Sequence, residues 1–366
     1  MRILALDVGT GTQDILVFDT SVPVENCIKL VMPSPTAIAA QRIRRATAAR
    51  EPVILTGVNQ GGGPCHWAIE DHLHAGFPAF ATHEAATTFD DDLDNVRAMG
   101  VTLVNEDEAA RTAGAHIELR DLDLDALATA LRAFDVDPAF DAYAVGCLDH
   151  GASPPGYSDR LFRFDHLRAV VTKNADLRSF AYKPDELPDY LTRARALVRF
   201  LPPGVPAIFL DTGPAAALGA LQDETVAAAD EQMVLNLGNM HALAFHLRGE
   251  TVLSLYEHHT GEMTTEMIED FTQRLFVGTL HQDEVFNSKG HGVFYSSSEA
   301  RSPWAEPFCA VTGPQRSRIR HSRVLQPYLA APHGDMMISG CFGMVRAFAY
   351  RFPEHAAEID RALAGE

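Results

Sequence analysis

The sequence predicts an α/β protein built as two similar units. Three observations carry this. Strand-like apolar runs alternate with helical periodicity, a strand–glycine turn–strand device opens the chain at Leu4–Asp19, and the same device returns at Met233–Leu247. With 366 residues the chain is too long for one small core and comfortable for two domains. It is 46% hydrophobic and 22% charged, the balance of a globular protein and not of a disordered one.

Ile3–Leu6 and Ile15–Phe18 stand too close for a crossover helix, so they form a hairpin. Strands are then expected at Val53–Val58, Ala79–Thr82, Val101–Val104, Ile117–Leu119, Ala142–Cys147 and Ala207–Leu210. Helices are expected between several of them, at Trp67–His74, Leu93–Met99, Leu124–Phe134 and Tyr190–Phe200. This alternation predicts a largely parallel sheet covered on both faces. The second hairpin, Met233–Leu237 with Ala242–Leu247, continues into a strand at Val252–Tyr256 and a helix at Met263–Phe276. Glycine-, serine- and proline-rich segments follow at Asn287–Ser298 and Thr312–Gln315, and a strand–turn–helix closes the chain at Met336–Phe352. The repetition suggests a duplication with its boundary around Glu224–Asp230, giving domains 1–226 and 227–366.

The opening stretch, LALDVGTGTQDILVFD, carries the first chemistry. A strand that enters a tight glycine turn and returns presents successive backbone N–H groups to one point, a small anion nest. Thr10 and Thr12 add hydroxyls, while Gly9 and Gly11 allow positive φ and the close approach a phosphate needs. Asp7 then serves as an outer ligand, through water, to the magnesium that accompanies a phosphate. An ordinary hairpin with a solvated aspartate explains the same stretch equally well, so corroboration matters. It comes from VPAIFLDTGPAAALGAL, a strand, an Asp211–Thr212 turn and a small-residue helix suited to a domain contact, and from MVLNLGNMHALAFHL, the second hairpin. Near the end, DMMISGCFGMVRAF reads as a strand running into GxxG at the start of a helix, a turn against which a base or ribose can lie.

In this order the four segments resemble the actin-like ATPase superfamily, which includes sugar kinases, acetate kinase, heat-shock ATPase chaperones and actin. Leu4–Asp19 looks like the first phosphate motif, Ala207–Leu221 like the first connecting helix, Met233–Leu247 like the second phosphate motif and Ile338–Ala347 like the adenosine motif. The resemblance implies two ribonuclease H-like domains with a nucleotide cleft between them, and ATP with Mg2+ as cofactors. It implies phosphate contacts from Gly9, Thr10, Gly11, Thr12, Gln13, Gly238, Asn239 and His241, and adenosine contacts from Gly340 and Gly343. Two features depart from the pattern. Asn236 stands where many members carry an aspartate, and only a short segment follows the GxxG. The whole-chain pattern is also similar to a branch labelled pyruvate formate-lyase activating enzyme, yet the cluster-binding cysteines such an activator needs are absent.

Further candidates lie outside these loops. VNQGGGPCHW places Gly61, Gly62 and Gly63 between a strand and a helix led by Pro64, a turn expected to receive a substrate carboxylate or phosphate. No lysine follows as a Walker-type loop requires. Asp149 and His150 end a buried strand, where ligands gather in open α/β sheets, and Asp149 or Asp211 is expected as general base or metal partner. His258 and His259 follow another strand, and adjacent strand side chains point to opposite faces, so at most one of the pair enters a given site. His66, Glu70 and His74 share a helix face but span more than about 10 Å, too far for one ion. Arg316 in VTGPQR reads as part of a surface turn.

Charge and cysteine usage exclude several classes. A net charge of −19 argues against a nucleic-acid partner. No apolar stretch reaches the roughly 20 residues that span a bilayer. Five scattered cysteines without a CxxC pair suggest reduced thiols, and with no export signal they predict a cytoplasmic protein. The expectation is an ATP/Mg-binding phosphotransferase acting on a small molecule. The alternatives are a slow ATPase that activates a partner protein, and a metal-dependent enzyme built on the histidines.

Overall fold

Each glycine hairpin lies at the centre of its own six-stranded sheet. The computed structural model describes residues 1–296 and 307–365. The first sheet has the order Ile28–Pro33, Thr12–Asp19, Arg2–Val8, Ala142–Cys147, Ala207–Leu210, Ala181–Tyr182. The second has the order Gly292–Tyr295, Thr251–His259, His241–Arg248, Gln232–Leu237, Phe308–Thr312, Tyr328–Leu329. In both, an antiparallel hairpin extended by a third antiparallel strand meets two further strands in series, the first running parallel to the hairpin's leading strand. This is the ribonuclease H-like arrangement, and its double occurrence is the actin-like ATPase fold; the expected duplication is present. Every residue of Gln232–Leu237 and nearly every one of Arg2–Val8 is buried, as befits central strands covered on both faces.

The run of strands between residues 53 and 119 does not extend the first sheet. Thr102–Val104, Ala79–Thr82, Val53–Gly57 and Ala115–Leu119 form a separate all-parallel four-stranded sheet in that order. It has its own core, in which Val53, Leu55, Ala81 and Ile117 pack against Ile43 and Ile69. Sheet membership depends on long-range pairing, which periodicity does not encode. The helix Pro35–Ala49 that covers this sheet went unexpected because its buried face is mostly alanine, at Ala39, Ala40 and Ala46. Its start is nonetheless written locally: Ser34 caps it by accepting from Ala37 N at 3.2 Å, and Pro35 follows.

Two helices join the units. Thr212–Ala220 follows the first sheet's Ala207–Leu210 strand, and Ser339–Arg351 lies across it. They touch backbone to backbone: a Cβ on Gly219 would lie 1.7 Å from Ser339 O, and one on Gly343 would lie 2.0 Å from Ala215 O. No strand forms at Met336–Ile338, while the GxxG lies at the start of a helix as expected. Glycines three residues apart fall on one helix face, where they serve close packing. The segment Asn287–Ser298 contributes the edge strand Gly292–Tyr295; its positions 297 and 298 lie outside the described residues. Among the described residues no helix is long and apolar enough to cross a membrane.

Candidate functional site

The two hairpins close with the same turn. Gly9 N donates to Thr12 O at 2.9 Å, and Gly238 N donates to His241 O at 2.9 Å. The turns face one another across the gap between the sheets, close enough that a Cβ on Gly11 would meet Asn239 Nδ2 at 2.6 Å. Gly9 and Gly11 do not adopt positive φ, so that part of the sequence-based reason for them fails. They permit close approach, Gly9 to the Thr12 carbonyl and Gly11 to the opposing turn. Between the hairpins lies a cavity of about 810 Å3, including its solvent-open mouth, lined by Asp7, Gly9, Thr10, Thr12, Gly238, Asn239, His241 and Gly340 among others.

Asp7 and Asp14 face each other across the first hairpin and both line this cavity. Burial makes Asp7 hard to ionise, and although Thr212 Oγ1 donates to its Oδ1 at 2.6 Å, the carboxyl is pushed up to about 6. Asp14 is pushed up to about 7 by burial and by the neighbouring Asp7, and its Oδ1 is buried without a partner. Two carboxylates so placed form an incomplete electrostatic arrangement that a cation completes. In the second hairpin the equivalent pair is Asn236 and Leu243, so the acidic charge sits on one wall only. Arg193 adds a cation. It lines both this gap and a wider cleft beyond it, and is held by Asp121 at 2.6 Å and by the Leu148 carbonyl at 2.8 Å.

Several expected site residues lie elsewhere or are already engaged. Gln13 alternates to the other strand face and donates to Pro33 O at 3.1 Å. Gly343 is buried in the helix crossing, away from the cavity, whereas Gly340 lines the cavity and abuts Asp7. Asp211 is bound bidentately by Arg163 at 2.5 and 2.9 Å and also caps the helix Thr212–Ala220. Asp149 uses one oxygen on Gly151 N at 2.8 Å and the other on Ala194 N at 2.9 Å. Both aspartates therefore anchor backbone, and each of their oxygens already accepts a hydrogen bond. Gly61, Gly62 and Gly63 do wall the wider cleft, but Gly61 N–H is taken by Asp121 and Cys65 N–H by Thr36. Two of the N–H donors around this turn are thereby engaged within the protein.

The histidines sort by strand face. His258 is fully buried on the far face with Ser288, while His259 lies opposite His241 on the cleft side. His150 reaches across from the first sheet, its Nε2 3.3 Å from His241 Nε2. His291, which precedes the edge strand, completes the group, with ring centroids 5.0 Å from His241 and 5.3 Å from His150. Burial and the neighbouring His241 push the His150 imidazole down to about 3, and burial also lowers His259 and His291. Behind them, Glu257 accepts from His241 Nδ1 at 3.0 Å and from Arg163 Nε at 3.1 Å. Burial opposes ionisation of Glu257, but the Arg163 guanidinium together with His291 and His241 outweighs it and holds the carboxyl well below its usual range.

Sequence reasoning missed Asp14, Arg193, His291 and the turn Thr312–Gly313–Pro314. The last lines the cavity at the carboxyl end of Phe308–Thr312, where the order of the second sheet makes it the counterpart of Leu148. Asp14 was within reach, since a four-residue turn beginning at Gly9 places it opposite Asp7. Nothing local marks Arg193 or His291.

Residues 60–318 match the model of the family described as "Putative pyruvate format-lyase activating enzyme (DUF1786)". The chain belongs to DUF1786. Its doubled sheet order places this DUF1786 member in the actin-like ATPase superfamily. No curated protein matches the sequence. Solved structures with some likeness include the ROK hexokinase of Thermus thermophilus, at 14% identity and TM-score 0.24 over 69% of this chain and 48% of that one. The DUF1786 chain thus spans about half that hexokinase's length. The ethanolamine utilization protein EutJ of Carboxydothermus hydrogenoformans follows at 9% identity and TM-score 0.33, over 95% of this chain and 89% of that one. The PPX-GPPA enzyme of Aquifex aeolicus gives 9% identity and TM-score 0.30, over 86% of this chain and 68% of that one. The fold assignment rests on the strand orders, not on these overlaps. The activity in the family's description calls for an iron–sulfur cluster on close cysteines. In this DUF1786 chain all five cysteines are buried and unpaired, and among the described residues no three of them come together. The donor set does not fit such a cluster.

Proposed function

We propose that this chain is an ATP- and magnesium-dependent phosphotransferase acting on a small molecule, with the nucleotide held between its two hairpins and the chain dividing near residue 226. The observation that carries this is the Asp7–Asp14 pair beneath two opposed glycine turns, with one carboxylate oxygen of Asp14 buried and unpartnered. Asp7 and Asp14 would hold the magnesium, which when bound neutralises phosphate charge. The backbone of Gly9–Thr12 and Gly238–Asn239 would position the phosphates. Arg193, at the junction of the gap and the wider cleft, would face the group passing between nucleotide and substrate. Since the hairpin tips already touch, admission of a nucleotide requires the two units to part about the crossed helices Thr212–Ala220 and Ser339–Arg351.

A second reading, a slow ATPase that activates a partner protein, is favoured by two features. Asn236 replaces an acidic group on the second hairpin, and Asp149 and Asp211 are both spent on backbone and Arg163. Labelled ATP separates the readings. Transfer of label from the γ-phosphate to a metabolite in a small-molecule extract supports the phosphotransferase. Hydrolysis alone, accelerated by a protein fraction, supports the regulator. Absence of magnesium-dependent ATP binding rejects both.

A further inference from the structure

We infer that His150, His241 and His291 form a binding site for a divalent transition-metal ion with imidazole preference, zinc first among them. This site is separate from the carboxylate pair of the hairpins and does not depend on the nucleotide reading. Three observations combine. First, candidate ligand nitrogens of the three residues all lie within 4.8 Å of one another. The His150 Nε2–His241 Nε2 separation is 3.3 Å, and two nitrogens at about 2.05 Å from one tetrahedral ion lie about 3.3 Å apart. Second, His291 is completely buried and neither of its ring nitrogens has a hydrogen-bond partner. A core histidine normally satisfies at least one nitrogen. A hydrogen bond between His150 and His241 would account for those two rings and still leave His291 unexplained, whereas one ion accounts for all three.

Third, the groups behind the cluster are those a metal site uses. The Nδ1 of His241 pairs with Glu257 Oε1 at 3.0 Å, which turns its Nε2 lone pair toward His150. Glu257 is itself fixed by Arg163, so this orientation is locked by a buried ion pair. His259 stands at the rim, its ring 4.6 Å from His291, with Nδ1 bonded to the Lys289 carbonyl at 3.0 Å. His150, His241 and His259 line the wider cleft while His291 lies behind them. An ion held by the three would therefore be approached from the cleft, the side on which an oxygen ligand of a substrate can complete the coordination. His150 comes from the first sheet and the others from the second, so the ion would also fasten the two units together.

The test uses the full-length chain without a histidine tag, stripped with chelator and titrated with Zn2+ and with Co2+. The expected result is one ion per chain, visible cobalt bands of a four-coordinate centre, and a rise in melting temperature. His291→Ala and His150→Ala should weaken binding by more than about 100-fold, beyond what removal of an outer partner gives. His258→Ala, which alters the far face of the strand that carries His259, should bind like the parent. X-ray absorption of the cobalt-loaded parent protein, which needs no variant to fold, should show at least three imidazole nitrogens. Failure of the parent protein to bind either ion, binding undiminished in both variants, or a first coordination shell without imidazoles would overturn the assignment.

Discussion

Replacing Asp7 with asparagine should have opposite effects on the empty and the liganded protein. The Asp7 carboxyl is raised from 3.8 to about 6, chiefly by burial. A raised carboxyl stabilises the folded state below its unfolded-chain value, and that stability is lost as pH rises through about 6. Two units correspond to ~3 kcal/mol of penalty at pH 8. The asparagine side chain would be neutral at every pH and would still accept the Thr212 hydroxyl. With an unfolding entropy of about 2.1 cal/mol/K per residue, the whole chain gives roughly 0.8 kcal/mol/K, so Asp7→Asn should melt up to about 4 °C higher at pH 8 in EDTA. The gap should close as pH falls from 6 toward 4. Magnesium–ATP at 100 times its dissociation constant should stabilise the parent by about 2.7 kcal/mol, a shift of similar size, and should leave the variant unmoved. Differential scanning calorimetry reads both effects. A variant that melts below the parent at pH 8 without ligand, or one that keeps the nucleotide shift, would refute the reasoning.

Three further outcomes follow from the packing. Gly219→Ala forces a Cβ to 1.7 Å from the Ser339 carbonyl, a backbone clash that no rotamer relieves. The overpacking cost should exceed the roughly 1 kcal/mol that alanine returns in helix propensity, so denaturant melts should show a net loss of about 2 kcal/mol. Arg163→Met leaves Asp211 and Glu257 buried and unpaired, and urea unfolding should register a loss of about 3–5 kcal/mol. The thiols of Cys65 and Cys309 are pushed up to about 12 by burial, and burial also raises those of Cys147 and Cys341 well above the usual range. Under native conditions a disulfide reagent should label these four only as slowly as the protein unfolds, and rapidly in denaturant.

Local signals in the chain were enough to reveal the doubled hairpin architecture. The turns at Gly9 and Gly238 and the largely apolar central strands mark themselves, because hairpin geometry and continuous burial are read over a few residues. The same local reading gave Asp7, Thr10, Thr12, Gly238 and Asn239 as cavity residues, and the strand period separated His258 from His259. It set the GxxG at a helix start but did not reveal the helix crossing that buries Gly343, since glycine spacing alone does not say what packs against it. It did not reveal that Ala194 and Arg163 engage the carboxylates of Asp149 and Asp211.

What the sequence determined by itself was therefore the repeated unit and the placement of an acidic glycine hairpin at its head. Only the tertiary structure decided that the two hairpins face each other, that Arg193 stands between gap and cleft, and that His150, His241 and His291 converge. Each of these depends on residues at least 50 positions apart brought together by the crossing of two glycine-bearing helices. Contacts of that range are set by packing between elements, and no short window of sequence contains both partners.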